Sequence, residues 1–173
     1  MPTQALVVAD MINDFLDPAG ALTLGEAGRA IIPFVADRIR KMRAQGAVIV
    51  FLNDAHDSED LEFRRFPPHG VKGTWGAQII PELPVAPTDE VVGKTHFSGL
   101  LKTGLAEILQ RENIAEVHLV GVCTSICIME TARDLDLNGY RVVVYRDGVA
   151  DLNQEDHEWG LERMARLFGV KVV

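Results

Sequence analysis

Only two cysteines, Cys123 and Cys127, occur in the 173 residues. That excludes a disulfide framework and makes a thiol with a specific job worth considering. Basic residues are also scarce, with 17 Lys and Arg against 25 Asp and Glu and a formal net charge of -8. Nucleic acid and anionic membrane both need a basic face that displaces counterions, so neither is expected as a partner. Small molecules are the expected ligands. No apolar run reaches the roughly 20 residues of a membrane span. Met1-Pro2-Thr3-Gln4 lacks the basic-then-apolar layout of a signal peptide, so the expected location is the cytoplasm. Glycine and proline are too few for a fibrous or low-complexity chain.

What is present fits a packed globular chain, 47% hydrophobic and 24% charged. The length suits one α/β domain with a proper core and is short for two, so residues 1–173 read as a single domain. Short apolar runs rich in β-branched residues recur at Ala5 to Ala9, Ala47 to Leu52, Val91 to Val92, Val117 to Val122, Val142 to Tyr145 and Val170 to Val173. They predict buried strands. Between them, Ala27 to Gln45, Leu101 to Arg111, Ser125 to Asn138 and Gln154 to Phe168 carry apolar residues at three- and four-residue spacing, which predicts helices. Gly46, Gly139 and Gly169 each follow a predicted helix, where a left-handed residue is wanted. The alternation implies an open parallel sheet of about six strands, covered by helices on both faces in three Rossmann-like layers.

The segment Asp54 to Thr88 departs from the pattern. It holds five of the eight prolines and reads as neither helix nor strand for most of its length, and loops this long are usually functional. In open parallel sheets, ligands bind beyond the carboxyl ends of the strands, where strand order reverses. Asp10 ends the first strand, Asp54 and His56 end the second, Lys94 ends the third, and Cys123 to Cys127 follows the fourth. All point to one rim.

Cys127 lies three residues after Thr124, a good N-cap, and so falls in the first turn of a helix. Exposed amides and the helix dipole favour a thiolate there. Its apolar neighbours Ile126 and Ile128 fit equally well with a small core hydrophobe. In isolation Asp10 fits a turn residue and Lys94 a solvated strand end. Together, a carboxylate that takes the thiol proton and an ammonium that stabilises the anion make an activated nucleophile.

Gly121-Val-Cys-Thr-Ser-Ile-Cys-Ile-Met-Glu-Thr-Ala132 resembles the signature of isochorismatase-like cysteine hydrolases, in which the second cysteine is the nucleophile. Val8-Ala-Asp-Met-Ile-Asn-Asp-Phe15 resembles that family's first-strand motif, and Gly93-Lys-Thr-His-Phe-Ser98 the segment supplying its lysine. The motifs stand in the family's order and spacing over essentially the whole chain. The resemblance implies that Cys127 attacks a carbonyl carbon, Asp10 transfers protons and Lys94 gives electrostatic support. It further implies an oxyanion hole from the backbone N–H groups of Cys123 and Cys127, with a cis bond between Val122 and Cys123.

In the long loop, Asp54 and His56 lie two residues apart on an extended segment and so face the same side; Glu62 and His69 follow. Their nitrogen and oxygen donors suit zinc, manganese or iron. Taken alone, the same residues fit a turn aspartate and two surface histidines. Asp54-Ala-His56 and Phe66-Pro-Pro-His69-Gly-Val-Lys-Gly-Thr-Trp-Gly-Ala77 resemble the metal-binding segments of the nicotinamidase branch. That implies a divalent ion on Asp54, His56 and His69, with Glu62 a ligand only in some members, and a substrate ring sandwiched by Phe15 and Phe66.

The implied reaction is hydrolysis of nicotinamide to nicotinate and ammonia through a thioester on Cys127, in a chain that self-associates as family members often do. Three positions depart from the usual pattern and bear on the substrate: Ser125 for an acidic residue, Ala55 for an aromatic and Leu100 for a phenylalanine. A sister hydrolase acting on another small amide or a vinyl ether is the near alternative. A thiol redox protein or a catalytically silent binder is the distant one, and neither explains Asp10 and Lys94.

Overall fold

The computed structural model describes residues 3–173. The reading of the first four residues as lacking a leader therefore falls partly outside the described residues. Six strands form one all-parallel sheet: β1 Thr3–Ala9, β2 Val48–Asp54, β3 Glu90–Lys94, β4 Ile114–Val122, β5 Arg141–Ala150 and β6 Lys171–Val172, in the order β3-β2-β1-β4-β5-β6. Among the described residues six α-helices accompany them: α1 Asn13–Leu16, α2 Gly25–Ala30, α3 Ile32–Ala44, α4 Leu105–Arg111, α5 Met129–Leu137 and α6 Gln154–Leu167.

Alternate residues of β1 enter opposite cores. Ala5, Val7 and Ala9 pack on one face with Leu109, Leu135 and Met164 of α4, α5 and α6; Leu6 and Val8 pack on the other with Val35 and Ile39 of α3. Burial on both faces explains why the strands read as continuous apolar runs. Gly46, Gly139 and Gly169 have the expected positive φ, at 83°, 86° and 61°. Among the described residues, no helix is long and apolar enough to cross a membrane.

The structure departs from the sequence expectations at several boundaries. The helix expected over Ala27 to Gln45 is two helices, α2 and α3, parted at Ile31. Pro33 is the cause, because within a continuous helix its ring would clash with the Arg29 carbonyl. The helix expected from Leu101 begins only at Leu105, after Lys102 adopts a left-handed φ of 56°. β5 runs to Ala150, well past Tyr145, because its pairing with β4 resumes after a register shift between Leu119 and Gly121. The polar run Arg146-Asp147-Gly148 hides that continuation.

Strand order reverses between β1 and β4, so their carboxyl ends frame the crevice where parallel sheets bind ligands. Gly121 keeps these two strands close. Its φ is 116°, and a Cβ there would stand 2.0 Å from the Ala9 carbonyl oxygen, so no larger residue fits without moving β1.

Candidate functional site

Side chains from three strand ends and one turn converge at that crevice. Asp10 follows β1 with a φ of 54°. Its N–H donates to Leu52 O at 2.9 Å, and its Oδ1 accepts the Asp54 N–H at 2.7 Å. Lys94, the last residue of β3, lies in register with Asp54. Its amine bonds to Asp54 Oδ1, stands 2.9 Å from Asp10 Oδ2, and donates to Cys127 Sγ at 3.3 Å. The Asp10 contact is an ion pair outside hydrogen-bond alignment, since Oδ2 has no hydrogen-bond partner. All four side chains are buried.

Burial sorts their charges. It pushes the Asp10 carboxyl up, the neighbouring Asp54 adds to the push, and Lys94 opposes both, leaving a pKa of about 6. Burial also raises Asp54, but there Lys94 and the contacts with His56 and His69 prevail, holding the carboxyl well below the usual range. Burial would lower Lys94, yet Asp10 and Asp54 keep it firmly protonated, well above its ordinary value. Cys127 is pushed well above an ordinary thiol by burial, which Lys94 only partly offsets. The resting sulfur is thus a neutral thiol beside a carboxyl that titrates near neutrality. Of the two readings the sequence left open for Cys127, burial favours the neutral thiol in the resting protein.

The turn carrying Cys127 also differs from expectation. Thr124–Ile128 is a π-turn whose N-cap is Cys123, and the Thr124 hydroxyl pairs with His157 Nδ1 at 2.8 Å instead of capping. The Cys123 carbonyl accepts the N–H groups of Ile126 at 3.2 Å and Ile128 at 3.1 Å, passing over that of Cys127. Asp151 Oδ2 accepts the Ser125 N–H at 2.6 Å. The peptide bond between Val122 and Cys123 is cis, as the resemblance implied.

Beside the lysine lies a second cluster. Asp54 Oδ2 stands 3.5 Å from His56 Nε2 and 3.6 Å from His69 Nε2, and Glu62 Oε1 stands 3.6 Å from His69 Nε2. Gly70 permits this closeness: its φ is 54°, and a Cβ there would stand 2.6 Å from Asp54 Cβ. Burial lowers the His69 pKa, but contacts with Asp54 and Glu62 overcome it and raise it to about 10. His56 moves the same way, burial being outweighed by Asp54 and Asp60. The donors of Asp54, His56 and His69 all lie within 4.8 Å of one another. His69 Nδ1 faces the Pro67 carbonyl at 2.7 Å, so Nε2 is left as its free donor. His56 Nε2 is buried without a hydrogen-bond partner. An orphaned imidazole nitrogen among carboxylates and a second imidazole fits a divalent cation of the zinc kind.

A narrow cavity joins the two clusters. Phe15, Phe66, Asp54, Glu62, His69, Cys123 and Cys127 line it, together with Leu22, Phe97, Ile126 and Leu152. Phe15 and Phe66 both meet the His69 ring edge-on, at 5.3 and 6.1 Å between centroids. Every expected site residue therefore lies at this one rim, Val122 through its cis bond and the rest through their side chains.

The model of the isochorismatase domain matches residues 4–172. The chain belongs to the isochorismatase family. The Bacillus subtilis (strain 168) protein PncA, described as an uncharacterized isochorismatase family protein, is 37% identical over 98% of both chains. The crystal structure of nicotinamidase/pyrazinamidase PncA from Bacillus subtilis superposes with a TM-score of 0.93 at 34% identity, covering 99% of each chain. The structure of the Pyrococcus horikoshii pyrazinamidase in complex with zinc does so with a TM-score of 0.93 at 36% identity, again over 99% of each. The isochorismatase-family fold thus accounts for nearly the whole chain.

Sequence reasoning missed several residues here. Leu22, Phe97, Ile126 and Leu152 look like ordinary core or loop apolars. Asp14 accepts the Gly70 N–H at 2.8 Å and so ties α1 to the loop beside His69. Asp60 and Asp151 bond to groups that lie far away until the chain folds or are hidden in a loop. Only Asp60 carried a signal, since an aspartate two residues before Glu62 is a capping spacing.

Proposed function

We propose that the chain is a cysteine-dependent amidohydrolase of the nicotinamidase type, converting nicotinamide to nicotinate and ammonia through a thioester on Cys127. The observation that carries this reading is the Lys94 amine in contact with both Asp10 and Cys127, one carboxylate away from the two-histidine cluster.

The residues divide the work as follows. As the sulfur attacks the amide carbon, Asp10 takes the thiol proton, and a carboxyl with a pKa of about 6 can both accept and return a proton near neutral pH. The carbonyl oxygen acquires negative charge, and the family resemblance assigns its stabilisation to the N–H groups of Cys123 and Cys127. Asp10 passes its proton to the amine nitrogen, the carbon–nitrogen bond breaks, and ammonia departs. Asp10 next takes a proton from water as its oxygen attacks the thioester, and the sulfur leaves and is reprotonated. Lys94 stays charged throughout, offsetting the carboxylates and the transient thiolate.

Asp54, His56, His69 and Glu62 would hold a divalent ion, which when bound supplies a Lewis-acid contact for the lone pair of an aromatic ring nitrogen. Phe15 and Phe66 then flank the ring, with Leu22, Phe97, Ile126 and Leu152 excluding water from it. Among the residues lining the cavity there is no arginine, and the charged ones, Asp54 and Glu62 beside His69, offer no spare cation. That favours an uncharged amide over a substrate bearing its own carboxylate, the main distinction from a sister hydrolase.

The deciding assay is ammonia release by the purified protein from nicotinamide, with and without added zinc, manganese or iron, beside a panel of other small amides. Preference for nicotinamide supports the proposal. Turnover of a carboxylate-bearing amide with none of nicotinamide transfers the chain to another branch. Self-association into a homo-oligomer is proposed on the resemblance alone, and sedimentation of the purified chain tests it.

A further inference from the structure

Two of the four donor residues, His56 and Glu62, are tied to a single side chain, that of Asp60. One of its oxygens, Oδ2, stands 3.0 Å from His56 Nδ1, and the other, Oδ1, accepts the Glu62 N–H at 2.9 Å. An ionised carboxylate can only accept, so it fixes the hydrogen of a neutral His56 on Nδ1 and leaves the Nε2 lone pair facing the other donors. That Nε2 is the atom found buried without a partner. The second oxygen caps the 3-10 turn Leu61–Arg64, which orients Glu62 so that its carboxylate lies 4.0 Å from His56 Nε2 and 3.6 Å from His69 Nε2. Asp60 is itself braced by its N–H, which donates to Asp57 O at 3.1 Å. His69 and Asp54 are held by other groups, the Pro67 carbonyl and the Lys94 amine.

We propose that Asp60 is a positioning residue that presents His56 and Glu62 together to a divalent cation, one carboxylate oxygen setting the imidazole and the other setting the turn. This rests on the reading of Asp54, His56, Glu62 and His69 as a metal centre. It adds that retention of the ion depends on Asp60 through its contacts with His56 Nδ1 and the Glu62 N–H. The two bonds can be separated chemically. Serine is a good cap and can still accept the Glu62 N–H, but it is too short to reach the imidazole. Asparagine has one accepting and one donating end, so it either leaves the Glu62 N–H unpaired or donates to His56 Nδ1 and so shifts the imidazole hydrogen onto Nε2.

The test is zinc affinity of the metal-stripped full-length protein, measured against a competing chelator, for the wild type, Asp60→Ser, Asp60→Asn and Asp57→Asn. Thermal melting of each metal-free protein is measured alongside. Asp57 is an exposed carboxylate of the same loop, paired with Lys72 and touching none of the four donors, so its variant controls for general loss of negative charge. Both Asp60 variants should bind zinc roughly 10–100-fold more weakly, as for other groups that orient a ligating histidine. Asp60→Ser should nonetheless melt like the wild type, and Asp57→Asn should bind zinc like it. Zinc affinity in Asp60→Ser and Asp60→Asn within about twofold of wild type would overturn the proposal, and so would an equal loss in Asp57→Asn. If Asp60→Ser does not fold, Asp60→Asn carries the comparison. Failure of the wild type to take up zinc, manganese or iron is a different result: it removes the metal centre itself, and the proposal with it.

Discussion

The Lys94 amine donates to the Cys127 sulfur across 3.3 Å, yet that thiol is harder to ionise than a free one because its burial outweighs the nearby charge. The contact suits the thiolate that the proposed reaction would form. In the resting protein the same amine is occupied by Asp10 and Asp54. Alkylation by a neutral electrophile such as iodoacetamide should therefore be slow at neutral pH and should accelerate as pH rises. A hyper-reactive Cys127 with a plateau below pH 7 would contradict the charge assignment.

Removing the ammonium exposes what it balances. In Lys94→Met, Asp10 and Asp54 remain buried near each other without a counter-charge, and breaking such a buried arrangement costs about 3–5 kcal/mol. The deficit belongs to ionised carboxylates, so it should be largest at neutral pH and shrink as pH falls and they protonate. Denaturant unfolding across pH measures this, and a pH-independent deficit would point to lost packing alone.

On the proposed mechanism, Asp10 should set the acid limb of activity. Its carboxyl must be ionised to take the thiol proton, so kcat/KM should fall as pH drops through about 6. A cation bound at Asp54 offsets one of the charges that raise Asp10 and should draw the limb downward. The corresponding stability relation has the opposite sense. With its pKa raised above the unfolded value, Asp10 favours the fold below the unfolded pKa, and that contribution is lost as pH rises through about 6. Asp10→Asn should abolish turnover by roughly 10²–10⁴-fold or more.

Metal uptake should be proton-linked. Without an ion, His69 holds a proton up to a pKa of about 10, and a ligating imidazole must be neutral. Zinc binding at pH 7 should release protons and weaken as pH falls. Calorimetry in buffers of different ionisation enthalpy reads the release directly, and zero release would mean that His69 is not displaced from its proton.

The sheet was legible because burial on both faces leaves apolar runs that little polarity interrupts, as in Ala5–Ala9 of β1 and Val48–Leu52 of β2. The rim was legible for a topological reason: parallel strands send all their carboxyl ends one way, so Asp10, Asp54, Lys94 and Cys123 could be placed together before their contacts were known. The π-turn was not legible, since Thr124 looks like a cap until His157, from a distant helix, takes its hydroxyl. The charge state of Cys127 was hidden for a similar reason, because local sequence reports the helix start and only the fold reports the dehydration. Asp60, Asp14 and Asp151 each accept through both carboxylate oxygens, from partners that loop geometry brings to them. In sequence Asp14 and Asp151 carry no signal, and Asp60 shows only its capping spacing to Glu62.

The most direct test is intact-mass and peptide mapping of the protein quenched during turnover of nicotinamide, beside the same assay on Cys127→Ala. The account predicts a nicotinoyl adduct on Cys127 in the wild type, and a folded variant that carries no adduct and releases no ammonia. Ammonia release by Cys127→Ala, or an adduct on any other residue, would contradict it.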